Sequence, residues 1–173
     1  MSDVVIRRAA RGDVDVLMEM YRAAQRWLAS RGTDQWAVIT DENTRDPLIE
    51  SIERGECYVA QRGDQVIGTV TVDENADPEF WTARDCPASA LYVHRMVVER
   101  SASGQNVGGR LLDWAQQLAD SSDKQWLRLD AWRTNTALHA YYARQGFSAV
   151  RVVELEHRET GALFQRPAGV SGR

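Results

Sequence analysis

The residues from Leu91 to Leu112, LYVHRMVVERSASGQNVGGRLL, join an apolar strand, a small-residue loop and the start of a helix. That combination suits an anion. At a helix start the first backbone N–H groups have no partner within the helix, and the macrodipole places partial positive charge there. A phosphate can therefore be held without any basic side chain. The run Gly104, Gln105, Asn106, Val107, Gly108 and Gly109 supplies the small side chains that let a diphosphate approach such a backbone closely. Further along, WLRLDAWRTNTALHAYYARQGF (Trp126 to Phe147) reads as a strand, a helix opened by Asn135, and a Gly146 C-cap before a new strand at Phe147.

The elements that must position these residues follow from pattern. Val4 to Ala9 reads as a first strand, and Asp13 caps a helix with the apolar stripe Val14, Leu17, Tyr21, Ala24 and Leu28. A short helix is expected over Pro47 to Arg54, with Pro47 in its first turn. ECYVAQ and QVIGTVTV flank Arg62-Gly63-Asp64 and predict an antiparallel hairpin. Asp73 to Pro87 reads as a loop with one helical turn around Phe80 and Trp81, and Ala90 to Val98 as the fourth strand. A helix over Gln105 to Asp120, the strand from Trp126 to Trp132 and a last strand pair turning at Glu159-Thr160-Gly161 complete the series. This order predicts an α/β fold with a mixed, largely antiparallel central sheet and flanking helices. The 173 residues suggest one domain, over 1–166, with a short flexible tail at 167–173.

Together the two segments resemble the GCN5-related N-acetyltransferase (GNAT) superfamily, which transfers an acetyl group from acetyl-coenzyme A to an amine. Met96, Val97 and Val98 occupy the end of the family's signature strand, and Ser103, Asn106 and Gly108 its [QR]-x-x-G-x-[GA] positions. Ser103 stands where the family has Arg or Gln, and Asn106 where it has Gly. Asn tolerates positive φ, so the turn can form, and Arg100 or Arg110 is placed to supply a cationic contact. Asn135, Tyr142, Gly146 and Phe147 match the downstream motif. The resemblance implies that strands four and five splay to hold the coenzyme, with backbone groups of Met96 and Val98 on its acetyl and pantetheine portion. It also implies that the N–H groups of Gly104, Asn106, Gly108 and Gly109 hold the pyrophosphate, and that Asn135 meets the pantetheine arm. A single acetyltransferase domain is the expected organisation.

The implied chemistry needs a neutral amine, a stabilised oxyanion and a proton for the leaving thiolate. An alkylamine of pKa ~10.4 is mostly protonated at neutral pH, so its proton must be accepted. By the resemblance, the Met96 amide faces the thioester carbonyl and Tyr142 is the general acid. For the base, His94 has an ordinary pKa near ~6.5 and shares a strand face with Met96 if no bulge intervenes; Glu74 and Asp73 are alternatives. Carboxylates and aromatics in the segments Trp27 to Trp36 and Asp73 to Pro87, among them Trp36, Phe80 and Trp81, suggest an acceptor entrance there, opposite the cofactor.

The leading function is thus N-acetylation of a small-molecule primary amine, with acetyl-CoA as cosubstrate and no metal. A protein or peptide amine acetyltransferase and a non-catalytic acyl-CoA-binding or sensing domain are the alternatives. An unrelated nucleotide-binding module would need a Walker lysine or dinucleotide fingerprint, and GQNVGG has neither. The net charge of −4 argues against general nucleic-acid or anionic-membrane binding, and no run approaches the ~18 apolar residues of a membrane span. Cys57 and Cys86 lack metal-ligand spacing and read as small core residues in a chain without a secretory leader pattern, so a reduced, cytoplasmic setting is expected. A homodimer is left open.

Overall fold

The computed structural model describes residues 3–37 and 39–169. Among them the chain forms β1 (Val4–Arg8), α1 (Val14–Ser30), α2 (Asp41–Glu53), β2 (Cys57–Arg62), β3 (Gln65–Asp73) and β4 (Ala90–Val98). After these come α3 (Val107–Ser121), β5 (Trp126–Trp132), α4 (Thr136–Arg144), β6 (Ser148–Val152) and β7 (Thr160–Pro167). The strands are hydrogen-bonded in the order β1-β2-β3-β4-β5-β7-β6. The pairs β1/β2, β2/β3, β5/β7 and β6/β7 are antiparallel and β4/β5 is parallel, so the sheet is mixed and largely antiparallel as expected. Among the described residues no helix is long and apolar enough to cross a membrane.

The fold comprises two compact units, the first drawn from Met1–Thr71 with Arg95–Leu111 and the second from Val72–His94 with Leu112–Arg173. In the first unit α1 buries Leu17, Met18, Met20 and Tyr21 against Cys57 and Val59 of β2 and Val97 of β4. Its N-terminus is tied down by Arg7, which donates to both oxygens of Asp13 at 2.8 and 2.9 Å. The hairpin forms as expected, with Arg62 opposite Gln65 and Gly63 at φ 57°. Gly68 lets α3 approach β3 closely, since a Cβ there would lie 3.0 Å from Val107 Cγ1 and 3.1 Å from Leu111 Cδ1.

One expectation in this unit fails. The second helix starts at Asp41, not near Pro47, and Pro47 lies inside it. Thr40 is the cap, its hydroxyl accepting from the Asn43 N–H at 3.3 Å while Asn43 Oδ1 accepts from the Thr40 N–H at 2.9 Å. This reciprocal pair satisfies donors that would otherwise be orphaned, which outweighs a proline whose missing N–H falls in the second turn.

In the second unit Phe80, Trp81, Tyr92 and Leu163 form an apolar cluster. Arg151 of β6 fastens the segment after β3 to it, donating to Asp85 at 2.6 and 2.9 Å and to the Phe80 carbonyl at 2.6 Å. Phe80 and Trp81 are 0% and 3% exposed, so these aromatics are core and do not line an acceptor entrance. The expected turn at Glu159-Thr160-Gly161 is also displaced. The chain reverses at Glu156 and His157, and Gly161 lies within β7 at φ 140°. A Cβ at Gly161 would stand 2.1 Å from the Val153 carbonyl oxygen, so glycine serves a close backbone crossing there rather than a turn. β7 runs to Pro167 and Ala168 is buried, its N–H donating to the Gln125 carbonyl at 2.9 Å; the rest of the expected tail, 170–173, lies outside the described residues.

Candidate active site

The residues singled out by the sequence fall in two groups, one in each unit. In the first unit the end of β4 leads through a 3-10 turn at Arg100–Ala102 into α3. The Glu99 N–H donates to the Ile67 carbonyl at 2.9 Å, which anchors the loop's entry on β3. Gly104 takes φ 78° and Asn106 φ 58°, so Asn fills the left-handed position where the family has glycine. α3 begins at Val107 rather than Gln105, which puts Val107, Gly108 and Gly109 in its first turn, where N–H groups point out of the helix unpaired. Val107 is buried, whereas Ser103, Gly104, Gln105 and Asn106 are exposed. The Gln105 side chain folds back to the Ser101 carbonyl at 3.1 Å. The loop thus presents backbone rather than side chain, as a diphosphate site without a basic residue must.

The two arginines near the loop are differently placed. Arg110 reaches the Val4 carbonyl of β1 at 2.7 Å, and Arg100 lies 4.1 Å from the centroid of the Trp27 ring. Val97 is buried in the core of the unit, while Met96 and Val98 are half-buried. Arg95, the residue before Met96, takes φ 48° inside β4. A non-glycine residue in that region costs of order 1 kcal/mol and interrupts the strand's alternation. The expectation that His94 and Met96 share a face depended on regular alternation, and Arg95 breaks it.

In the second unit the parallel ladder joins Ala90, Leu91 and Tyr92 to Trp126, Leu127 and Arg128. Among the described residues it does not continue to His94 or Asp130, although both strands do. His94 lies at this point, its Nε2 2.9 Å from Asp73 Oδ1. The Asp73 carboxyl is 8% exposed. Burial works to raise it, but the hydrogen bond and charge of His94, with the Asn75 N–H, outweigh that and hold it below the usual carboxylate range. Asp73 is therefore an anion bound to His94 rather than a base in its own right. Glu74 points elsewhere: its carboxylate is 70% exposed and pairs with Lys124 Nζ at 2.9 Å.

Tyr142 is 8% exposed and packed among the rings of Tyr141, Phe147 and Phe164 at centroid distances of 5.5, 5.7 and 5.9 Å. Burial first, then the neighbouring Tyr141 and Asp130, pushes its phenol well above the ordinary value, so it carries its proton throughout the working pH range. Tyr141, more open, is its packing partner. Asn135 caps α4, its Oδ1 accepting from the Leu138 N–H at 3.0 Å, and Gly146 follows the helix at φ 83°. Sequence reasoning passed over Asp130. The available signal was an acid inside the apolar strand WLRLDAW.

Comparison with known proteins places this geometry. Residues 53–149 match the family model described as the acetyltransferase (GNAT) domain. An N-acetyltransferase of Bacillus subtilis (strain 168), YesJ, whose own role is uncharacterized, is 30% identical over 124 residues, covering 70% of this chain and 68% of that protein. Among solved structures, a GNAT-family acetyltransferase from Listeria monocytogenes 4b F2365 superposes with a TM-score of 0.76 at 22% identity, covering 95% of this chain and 94% of the other. The PaiA N-acetyltransferase from Thermoplasma acidophilum, solved with coenzyme A, gives 0.76 at 16% identity over 95% of this chain and 99% of its own. The chain belongs to the GNAT family and is an acetyl-CoA-dependent N-acetyltransferase.

Proposed function

We propose that the enzyme acetylates the primary amine of a small molecule by direct attack on bound acetyl-CoA, with His94 accepting the amine proton and Tyr142 protonating the departing thiolate. The observation that carries this reading is the 2.9 Å hydrogen bond between His94 Nε2 and buried Asp73. A carboxylate on one ring nitrogen fixes the imidazole's orientation and stabilises the ring once it has taken up a proton. Glu74, exposed and paired with Lys124, is left as a surface residue. The loop from Ser103 to Arg110 is assigned to the diphosphate through the Gly104, Asn106, Gly108 and Gly109 amides, supported by its left-handed residues and by the start of α3. The coenzyme A held by the PaiA structure is consistent with that assignment. The Met96 amide, Val98 and Asn135 are assigned to the thioester and pantetheine end on the family pattern.

Burial raises the Tyr142 phenol, so it holds its proton until a thiolate forms, and a thiolate formed in the same low-dielectric surroundings is also disfavoured as an anion. Two unlinked cysteines suit a reducing, cytoplasmic setting. The test is release of free thiol from acetyl-CoA in the presence of a panel of primary amines, including aliphatic diamines, arylalkylamines and amino acids, with mass spectrometry of the products. An N-acetylated small amine is expected. Thiol release no faster than hydrolysis with every small amine, alongside acetylation of a peptide amine, would overturn the small-molecule assignment.

A further inference from the structure

Asp130 sits in β5 between Leu129 and Ala131, both buried, and is itself half-buried. A carboxylate so placed costs several kcal/mol unless a cation or donors compensate it. The other shielded acids of the fold are compensated: Asp13 by Arg7, Asp73 by His94 and Asp85 by Arg151. Asp130 has no such partner among the described residues, because the cations near it are committed elsewhere. Arg158 pairs with Asp77 and Glu79, His94 bonds Asp73, and Arg128 donates to Gln165 Oε1 at 3.1 Å and to the Tyr92 hydroxyl at 3.4 Å. Burial, with the charge of Asp77, pushes the Asp130 carboxyl up by more than the charges of His94 and Arg158 and the hydrogen bond from Thr160 pull it down.

Its position is informative. Tyr92 is opposite Arg128 in the β4/β5 ladder, and their side chains meet on one face of the sheet. One alternation step onward along each strand brings His94 and Asp130 to that same face, just where the ladder stops and before Arg95 breaks β4. On the β7 side Asp130 is opposite Leu163, a member of the apolar cluster with Phe80 and Trp81. Asp130 is also close enough to Tyr142 for its charge to raise the phenol. It therefore shares its face with His94, the group assigned to take the amine proton, and has an apolar wall behind it, while Tyr142 packs with Phe164 on the other face.

We infer that Asp130 is the acceptor-binding carboxylate, accepting hydrogen bonds from the substrate's ammonium group and holding it beside the His94 ring. The inference rests on the amine-acceptor reading and adds its specificity determinant. An ammonium brings the positive charge that Asp130 lacks, beyond the hydrogen bond it has from Thr160. Once His94 has taken a proton, the nitrogen lone pair is free to attack while a remaining N–H keeps the contact. Cationic amines are then selected over alcohols and amides of the same shape, which can donate to the carboxylate but bring no charge to offset its own.

The test compares wild type with Asp130→Asn, using the best amine from the panel as acceptor. The expected result is a rise of about 10- to 100-fold in the acceptor KM, the scale of a charged hydrogen bond. The acetyl-CoA KM should stay unchanged, and the melting temperature should hold or rise as the buried charge is removed. An unchanged acceptor KM in the folded variant overturns the inference. Should the variant not fold, inhibition of the wild type decides. The N,N-dimethyl analogue of the acceptor keeps the charge and one N–H, and it should inhibit at least about tenfold better than the hydroxyl analogue; equal inhibition overturns the inference. Acetylation of no amine at all strikes down the amine reading itself and this one with it, a result distinct from an acetylated amine indifferent to Asp130.

Discussion

Tyr142 differs from a core phenylalanine only in its hydroxyl, since rings surround the rest of it. Tyr142→Phe keeps those ring contacts, so coenzyme A affinity by calorimetry should hold while kcat falls about 10- to 1000-fold, the range of general acid loss. Undiminished kcat would assign the proton to water or another group. Asp73 is tested by its charge. Its carboxyl lies below the usual range in part because the protonated His94 ring and the carboxylate stabilise each other, and that support is reciprocal. Asp73→Asn removes it, so the acid limb of the kcat/KM profile should move to lower pH, with a lower plateau as the ring loses its orientation. An unmoved limb would show that His94 does not set it. At this scale the sequence was partly legible. Tyr142, His94 and Asn106 declare themselves by residue type and spacing, and Asn106 takes the positive φ its type allows. Arg95 gives no such sign, because nothing about arginine announces φ 48°. Asp130 and the Asp73 partnership depend on burial, which local pattern does not report.

At the level of elements, β4, β5, α3 and α4 were legible because a period of 2 or 3.6 and a glycine or asparagine mark each of them. α2 was obscured because its first turn, DENT, is polar all round and its cap uses Asn43 where the common capping box has Glu or Gln. The β6–β7 connection was misplaced for a related reason. Gly161 looks like turn chemistry, but its lack of a side chain serves a crossing with the Val153 carbonyl that only the tertiary structure creates. Gly161→Ala should therefore cost about 3 kcal/mol or more, combining a left-handed φ with a backbone clash. A lowered urea midpoint at unchanged m-value would report it. An unchanged midpoint would mean that β7 can shift without loss.

For the whole molecule, acid stability follows chiefly from the three lowered carboxylates that are shielded, since Glu19, Asp41 and Glu79, also lowered, are exposed and screened by solvent. The hydrogen bond from Arg7 lowers Asp13; at Asp73 burial is outweighed by His94; the hydrogen bonds from Arg151 lower Asp85 most strongly. A group lowered in the fold stabilises it above the unfolded value of about 3.9, and that stability is lost as pH falls through the folded value. Asp130, raised in the fold, works the other way, since it costs least once protonated. Three against one predicts urea midpoints that hold near neutrality and fall below about pH 4. Asp85→Asn should flatten part of that fall, and a midpoint constant down to pH 3 would deny these pairs a role in stability. The two cysteines carry a practical consequence. Cys57 is buried, whereas Cys86 is exposed at φ 48° and so is not the core residue its type suggested. A thiol reagent used to follow coenzyme A release will titrate Cys86 as well, adding up to one equivalent of protein thiol to every trace. Without reductant, two copies joined through Cys86 would run as a dimer on a sizing column. A Cys86→Ser background removes both artefacts before turnover or subunit number is read.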